Sequence, residues 1–190
     1  MRVLVGCEFS GIVRDAFLEK GHDAWSCDLL PSERPGPHLE VDLLSVLDRD
    51  WDLMICHPPC TYLAVSGARW MNGRQREQDE AMEFVKALLG APIPRICLEN
   101  PVSVISTRIR KPEQVLQPWD FGHTERKRTC LWLKNLPVLM PTSRVIDLGS
   151  MCHSVPQSKN RWRVRSRTYT GVAKAMAEQW GDLPILTNCT

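Results

Sequence analysis

Short runs of apolar residues alternate along this chain with longer stretches in which apolar residues recur every three or four positions. The short runs predict five buried β-strands, at residues 3–6, 23–27, 53–56, 96–98 and 129–133. The longer stretches predict three helices, at residues 11–20, 76–89 and 170–180. Strands and helices that alternate in this way are typical of a mostly parallel sheet with helices on both faces, so we predict an α/β fold.

Residues with special backbone preferences mark the ends of these elements. Ser10 can cap the first helix, and Gly21 follows its last residue. Gly90 ends the second helix and Gly181 follows the third. Residues 30–38 contain three prolines and a glycine, which predicts a loop and no strand.

The length of 190 residues suits one domain with one core. No apolar run approaches the roughly 18 to 20 residues that a membrane span requires. The first residues read as a strand and lack the apolar segment of a signal peptide. We therefore expect a soluble, cytoplasmic protein without a membrane partner. The sequence does not indicate an oligomeric state.

The net charge of +2 conceals an uneven distribution along the chain. Residues 103–170 hold 13 Lys and Arg against 4 Asp and Glu, so the rest of the chain is acidic. Aromatic residues lie among these basic ones: Trp119, Trp132, Trp162 and Tyr169. A solvated basic face has the same composition, but the mixture also suits phosphate contacts combined with base stacking.

The eight cysteines do not form a disulfide or zinc pattern. Several lie within apolar runs, where reduced and buried thiols are expected. Cys56-His57 and Cys152-His153 are the pairs closest to a zinc motif. Because no pair of CxxC motifs accompanies them, we expect no metal site.

Chemistry-bearing residues follow two of the predicted strands. After the third strand come His57-Pro58-Pro59-Cys60, and the two prolines remove backbone donors and turn the chain out of the sheet. The thiol of Cys60 could then be a nucleophile, a redox group, a metal ligand or a small core residue. The fourth strand ends at Glu99. A thiol and a carboxyl group at the same sheet edge indicate covalent chemistry.

The turn after the first strand, Gly6-Cys7-Glu8-Phe9-Ser10-Gly11, is neither a GxGxxG loop nor a Walker A loop. Glu8 would repel a phosphate and instead suits a ligand with a cationic amino-acid portion. Asp28 ends the second strand, where a carboxylate can accept hydrogen bonds from ribose hydroxyls.

Taken in order, these motifs resemble the S-adenosylmethionine-dependent cytosine-C5 DNA methyltransferases, and most closely short phage- or prophage-encoded members. The matching motifs, within residues 2–102, are Phe9-Ser10-Gly11, Asp28, Asp42-Leu43, Pro58-Pro59-Cys60 and Glu99-Asn100, where the family has Glu-Asn-Val. The resemblance implies a Rossmann-like class I methyltransferase fold in one domain over residues 1–190. Residues 1–102 would carry the cofactor and catalytic motifs, 103–170 the basic substrate-binding part, and 171–190 a closing helix and tail. A phage-encoded protein would act in the host cytoplasm.

The resemblance also implies roles for individual residues. Cys60 would add to C6 of cytosine, Glu99 would contact N3 and the amino group, and Lys127 stands where the family has a catalytic arginine. S-adenosylmethionine would be held by Gly6, Glu8, Phe9, Gly11, Asp28, Asp42 and Pro58. Nucleic-acid phosphates would be held by Arg126, Arg128, Arg161 and Arg163.

Two features of the second half leave the substrate open. Residues 121–128 and 156–161 compete for the family's Gln-x-Arg-x-Arg motif, and we favour the first because a predicted strand follows it. Only about 35 residues separate that strand from the last helix, where the family inserts a target-recognition domain. The partner could therefore be DNA with a short site, single-stranded DNA, RNA or a free nucleotide, or a further protein could supply specificity. A nucleic-acid-binding module without catalysis is the remaining alternative.

Amino-methyltransferases place Asp or Asn before Pro-Pro and an aromatic residue after it. This chain has His57 and Cys60 at those positions. An imidazole cannot accept two amino protons as a carboxylate can, so methylation of an amino nitrogen is disfavoured.

Overall fold

The structure, a computed structural model, describes residues 1–70, 72–146 and 161–186. Seven strands form one sheet in the order β3-β2-β1-β4-β5-β7-β6. The strands are β1 (Arg2–Gly6), β2 (Asp23–Asp28), β3 (His38–Glu40), β4 (Leu53–Cys56), β5 (Arg95–Pro101), β6 (Gln114–Leu116) and β7 (Thr129–Lys134). Pairs among β1 to β5 are parallel, whereas β7 runs antiparallel to both of its neighbours.

Helices cover both faces of this sheet. They are α1 (Ile12–Glu19), α2 (Gln75–Leu89), α3 (Ile105–Arg108), α4 (Arg161–Ser166) and α5 (Thr170–Gly181). Because side chains alternate along a strand, Val3 and Val5 of β1 pack with α1 and α5, whereas Leu4 packs with α2 and α3 on the other face. The predicted Rossmann-like α/β fold class, with a mostly parallel sheet and helices on both faces, is confirmed.

The sequence missed four of these short elements: β3, β6, α3 and α4. The predicted loop at 30–38 ran one residue too far, because His38 already belongs to β3 and pairs with Ser26 of β2. A strand of three residues is too short to show an alternating pattern, and its neighbours determine its conformation.

The start of α1 also differs from the prediction. Its N-cap is Gly11, whose φ of 70° lies in the left-handed region. Ser10 Oγ accepts a 3.3 Å hydrogen bond from the backbone of Ile12. The stronger cap is Glu8, whose Oε1 accepts from the backbone of Val13 at 2.7 Å. The first turn of α1 is therefore capped mainly by a carboxylate, which the helix dipole favours.

The strand order reverses between β1 and β4, because the chain adds β2 and β3 on one side of β1 and β4 and β5 on the other. Ligands of such sheets bind in the crevice outside the carboxyl ends of the strands at this point. Among the residues described, no helix is both long and apolar enough to cross a membrane.

Candidate active site

The turn that follows β4 presents Cys60 at the surface. Pro58 is buried, and its carbonyl accepts a 2.8 Å hydrogen bond from the side-chain amide of Asn100, at the end of β5. The carbonyl of Cys60 accepts from the backbone of Leu63 and Ala64 at 3.1 and 2.9 Å, which closes a tight turn. Of the six free cysteines in the described part of the chain, Cys60 is the one that is exposed. This placement is the one that a nucleophilic thiol needs.

Glu99 and His57 form a hydrogen-bonded pair beside this turn. Nδ1 of His57 lies 3.0 Å from Oε2 of Glu99, and their side chains are 8% and 17% exposed. Burial alone would raise the pKa of Glu99, but the hydrogen bond from His57 and the positive charge of Lys127 lower it below its usual value. Glu99 is therefore ionised at neutral pH.

Charges of both signs act on the thiol of Cys60. Partial loss of water around the sulfur and the negative charge of Glu99 raise its pKa, whereas Lys127 and Arg165 lower it. The net pKa is raised, so the thiol is mainly protonated at neutral pH before a substrate arrives. The structure thus brings together the three side chains that the sequence assigned to catalysis.

The position of Lys127 is set by contacts with the segment around α4. Its Nζ donates a 3.1 Å hydrogen bond to the carbonyl of Arg165 and lies 5.7 Å from the centre of the Tyr169 ring. Arg165 was not predicted as a site residue. A feature of the sequence could have identified it: several cations alternate along one short segment, at Arg161, Arg163, Arg165 and Arg167.

A cavity of about 600 Å³ lies next to this site, at the reversal of strand order. Its size is within the range of small-molecule sites. Three predicted cofactor residues line it: Asp28, Asp42 and Pro58. Sequence reasoning missed other lining residues, namely Cys7, Leu29, Tyr62, Glu77, Glu80 and Phe84. Glu77, Glu80 and Phe84 lie on α2, so a search for site residues at the ends of strands could not identify them.

The charged residues among the cavity's described lining are Asp28, Asp42, Glu77 and Glu80, and all are carboxylates. Oδ1 of Asp28 accepts a 3.0 Å hydrogen bond from the backbone of Leu30. Burial raises the pKa of Asp28, although this hydrogen bond lowers it in part. The lining therefore favours a cationic ligand and disfavours one that carries phosphates.

The other predicted cofactor residues, Gly6, Glu8, Phe9 and Gly11, are not among those that line the cavity. Glu8 is buried, and both of its oxygens accept backbone hydrogen bonds from α1, whereas its contact with a ligand stays a prediction. Gly6 leaves room for the side chain of Leu43. Gly11 supplies the left-handed turn before α1. The ring of Phe9 packs edge-on against Trp162, with centroids 5.6 Å apart.

The predicted nucleic-acid contacts lie on two adjacent segments. Arg126 and Arg128 are exposed on the loop before β7. On α4, the guanidinium of Arg163 lies 5.7 Å from the centre of the Phe9 ring and 5.4 Å from that of Trp162. Trp162 is 50% exposed, whereas Trp132, which had been expected to contribute to stacking, is fully buried in the core.

Two sequence predictions fall partly beyond the described residues. Of the competing motif at 156–161, only Arg161 on α4 is described, where it is partly buried. The pair Cys152-His153 lies outside the described ranges. Within those ranges, no group of three His, Cys, Asp or Glu side chains could hold a metal ion.

No protein-family profile and no curated protein matches this sequence. Among solved structures, the chain is similar to an E. coli crystal structure described as a "putative DNA modification methyltransferase encoded within prophage". The two share 13% sequence identity and a TM-score of 0.47 over 76% of this chain. This chain spans 52% of the length of that one. A likeness at this level assigns no activity, so the site has to be interpreted from its own geometry.

Proposed function

We propose that this protein is an S-adenosylmethionine-dependent methyltransferase that modifies C5 of cytosine in DNA through a covalent adduct with Cys60. The observation that carries the proposal is an exposed thiol flanked by a carboxylate and an ammonium group, those of Glu99 and Lys127. Addition to a pyrimidine ring needs these three parts: a nucleophile, a group that binds the base edge, and a positive charge that favours the thiolate.

The cavity next to Cys60 supports S-adenosylmethionine as the methyl donor. This molecule carries positive charge on its sulfonium and amino groups, which matches a lining whose described charged residues are all acidic. Asp28 would accept hydrogen bonds from the ribose, and the apolar side chains of Leu29 and Phe84 would pack against the adenine. When bound, S-adenosylmethionine supplies an electrophilic methyl group.

Cys60 would activate the cytosine ring, because C5 alone is too weak a nucleophile to take a sulfonium methyl group. The thiol loses its proton to solvent, a step that the charges of Lys127 and Arg165 favour. Its sulfur then bonds to C6, the C5=C6 electron pair shifts to C4=C5, and negative charge develops on N3. The C4=C5 pair then bonds to the methyl group, whose bond to the donor's sulfur breaks and leaves S-adenosylhomocysteine, while the N3 pair restores the C4=N3 bond. C5 next loses its proton to solvent. The C5=C6 bond re-forms and expels Cys60 as a thiolate.

Glu99 would recognise the cytosine edge during these steps. Because its pKa is lowered, the carboxylate acts as a hydrogen-bond acceptor for the exocyclic amino group. A uracil would place a carbonyl oxygen at the same position and be repelled. The charge of Lys127, which also acts on Glu99, would offset the negative charge that develops on the ring.

The basic surface around Cys60 favours a polymer over a free nucleotide as the substrate. Arg126 and Arg128 are exposed beside the site, and the half-exposed Trp162 offers an aromatic face. Phosphate contacts and stacking on flanking nucleotides are the interactions that these side chains supply. A cytosine in duplex DNA would have to be flipped out, at a cost of a few kcal/mol.

The experiment that tests this proposal is methyl transfer from labelled S-adenosylmethionine, followed by nucleoside analysis. Double-stranded DNA, single-stranded DNA, RNA and deoxycytidine monophosphate are supplied in parallel. We expect 5-methyldeoxycytidine from DNA with the wild-type protein and none with Cys60→Ser. Label on the amino nitrogen, or label from the Cys60→Ser protein, would refute the mechanism. Label in RNA or in the free nucleotide alone would refute DNA as the substrate.

A further inference from the structure

The two ring nitrogens of His57, in the turn after β4, lie in different environments. Its Nδ1 meets Oε2 of Glu99 at 3.0 Å, whereas its Nε2 is buried and has no hydrogen-bond partner in the described part of the chain. An ionised carboxylate has no hydrogen to donate, so Nδ1 of His57 is the donor of this hydrogen bond and Glu99 is the acceptor. The ring is thus anchored at one nitrogen only, on the side of Glu99.

The two carboxylate oxygens of Glu99 differ in their hydrogen bonds. Oε2 is held by His57, whereas Oε1 accepts no hydrogen bond from any described residue. The hydrogen bond fixes the rotation of the carboxylate plane, because a single well-directed donor selects one of its orientations. One oxygen is thus anchored and the other is left for a ligand.

We propose that His57 is a positioning residue that acts through Glu99: as a hydrogen-bond donor, it keeps the carboxylate ionised and directs Oε1 towards the amino group of the target base. The part of this inference that concerns the base rests on the proposed function. The part that concerns the charge of Glu99 does not, and it can be measured without a substrate.

The pKa of the Cys60 thiol depends on the charge of Glu99. The charged groups that act on the thiol come from three elements: Glu99 from β5, Lys127 from the loop before β7, and Arg165 from α4. Without the donor at position 57, burial would be opposed by Lys127 but no longer by His57, so the pKa of Glu99 would rise and its carboxylate would be protonated more readily. The pKa of Cys60 would then fall, and the thiol would be alkylated faster at a given pH.

The test is the pH dependence of alkylation of Cys60 by iodoacetamide in the full chain, followed by mass spectrometry of the peptide that contains Cys60. Three variants are compared with the wild type: His57→Leu, which removes the donor, His57→Asn, which keeps an N–H donor, and Glu99→Gln, which removes the charge directly. Thermal unfolding of each variant checks that it is folded.

We expect His57→Leu and Glu99→Gln to be alkylated about three- to tenfold faster than the wild type at pH 7.5. His57→Asn should match the wild type, because an amide donor replaces the imidazole donor without a titratable group. Equal rates in His57→Leu and the wild type would overturn the proposal. So would a His57→Asn protein that behaves like His57→Leu, because an N–H donor at position 57 would then not account for the effect of His57.

A second measurement keeps the proposal testable if His57→Leu does not fold. The carboxyl carbon of Glu99 is followed by NMR in ¹³C-glutamate-labelled protein and assigned with Glu99→Gln. We expect it to titrate below the ordinary glutamate value of about 4.3 in the wild type and in His57→Asn. A pKa of Glu99 above the ordinary glutamate value in the wild-type protein would refute the role of His57. Neither readout needs a methyl donor or DNA, so a failure of methyl transfer alone would count against the proposed function and not against this pair.

Discussion

The ring of Trp162 on α4 packs edge-on against the ring of Phe9 in the turn after β1, with their centroids 5.6 Å apart. The same segment is joined to the loop before β3 by a bidentate ion pair, in which Arg167 meets both carboxylate oxygens of Glu33 at 3.0 Å. These contacts hold α4, with its arginines, next to the first turn and the thiol of Cys60. Half of Trp162 stays exposed there.

We expect Trp162→Ala to weaken oligonucleotide binding by about 5- to 100-fold, because stacking of one base on an aromatic ring is worth about 1–3 kcal/mol. Trp162→Phe, which keeps an aromatic face, should bind like the wild type. Fluorescence anisotropy with a labelled single strand measures both. An unchanged affinity in Trp162→Ala would show that this ring does not touch the nucleic acid.

Arg126→Gln should act differently from the tryptophan variant. Loss of one phosphate contact reduces the slope of log affinity against log salt by about 1 and weakens binding to all sequences alike. The Trp162→Ala slope should stay at the wild-type value. The same anisotropy titrations, repeated at several salt concentrations, separate the two effects, and an Arg126→Gln slope equal to that of the wild type would contradict the phosphate role.

Asp28→Asn should reduce the affinity for S-adenosylmethionine by about 10- to 100-fold, because a hydrogen bond to a charged group contributes about 1.5–3 kcal/mol. Asp48→Asn is the matched control, since Asp48 is exposed and does not line the cavity. Isothermal titration calorimetry gives both dissociation constants. If the two variants bound equally well, the cavity would not be the donor site.

Lys127→Met should slow alkylation of Cys60 at pH 7.5 several-fold, because Lys127 lowers the pKa of this thiol. Its loss raises the pKa further, so the thiolate fraction at a fixed pH falls and the profile moves to higher pH. Lys127→Arg keeps the charge and should follow the wild-type profile. If alkylation of Lys127→Met began at the same pH as in the wild type, or at a lower pH, Lys127 would not lower the pKa of Cys60.

Gly171→Ala should destabilise the fold by about 3 kcal/mol or more, since a methyl group there would lie 1.8 Å from the carbonyl oxygen of Phe121. Backbone cannot move aside as a side-chain tip can. Gly67→Ala is the control, because its nearest contact would be an ordinary 3.7 Å. Urea unfolding compares the two, and equal midpoints would mean that α5 does not approach Phe121 this closely.

The sequence was most informative where the sheet is covered on both faces. β4 is apolar throughout and so is the middle of β5, so both strands could be located from composition alone. The end of β5 was placed at Glu99, two residues too early, because the strand continues through Asn100 to Pro101 by pairing with β7. β3 and β6 have three residues each and exist through pairing with a longer neighbour. Their own residues carry no periodic signal.

The parts of the site that the sequence missed depend on contacts between distant positions. The His57–Glu99 hydrogen bond joins the ends of two neighbouring strands, and only their register brings the two side chains together. Glu8 was assigned to the cofactor because it lies in the glycine-bearing turn. Its carboxylate caps α1, a role that a cap signal centred on Ser10 did not reveal.

The central claim is that the thiol of Cys60 adds to C6 of a cytosine ring, and a mechanism-based trap tests it most directly. Oligonucleotides that contain 5-fluorocytosine are incubated with the protein and S-adenosylmethionine, because fluorine at C5 cannot leave as the proton does and the covalent intermediate therefore persists. We predict a denaturation-resistant adduct whose mass equals protein plus methylated oligonucleotide and maps to Cys60. Cys60→Ser should form none. An adduct of undiminished yield in Cys60→Ser, or one that maps to another residue, would contradict the account.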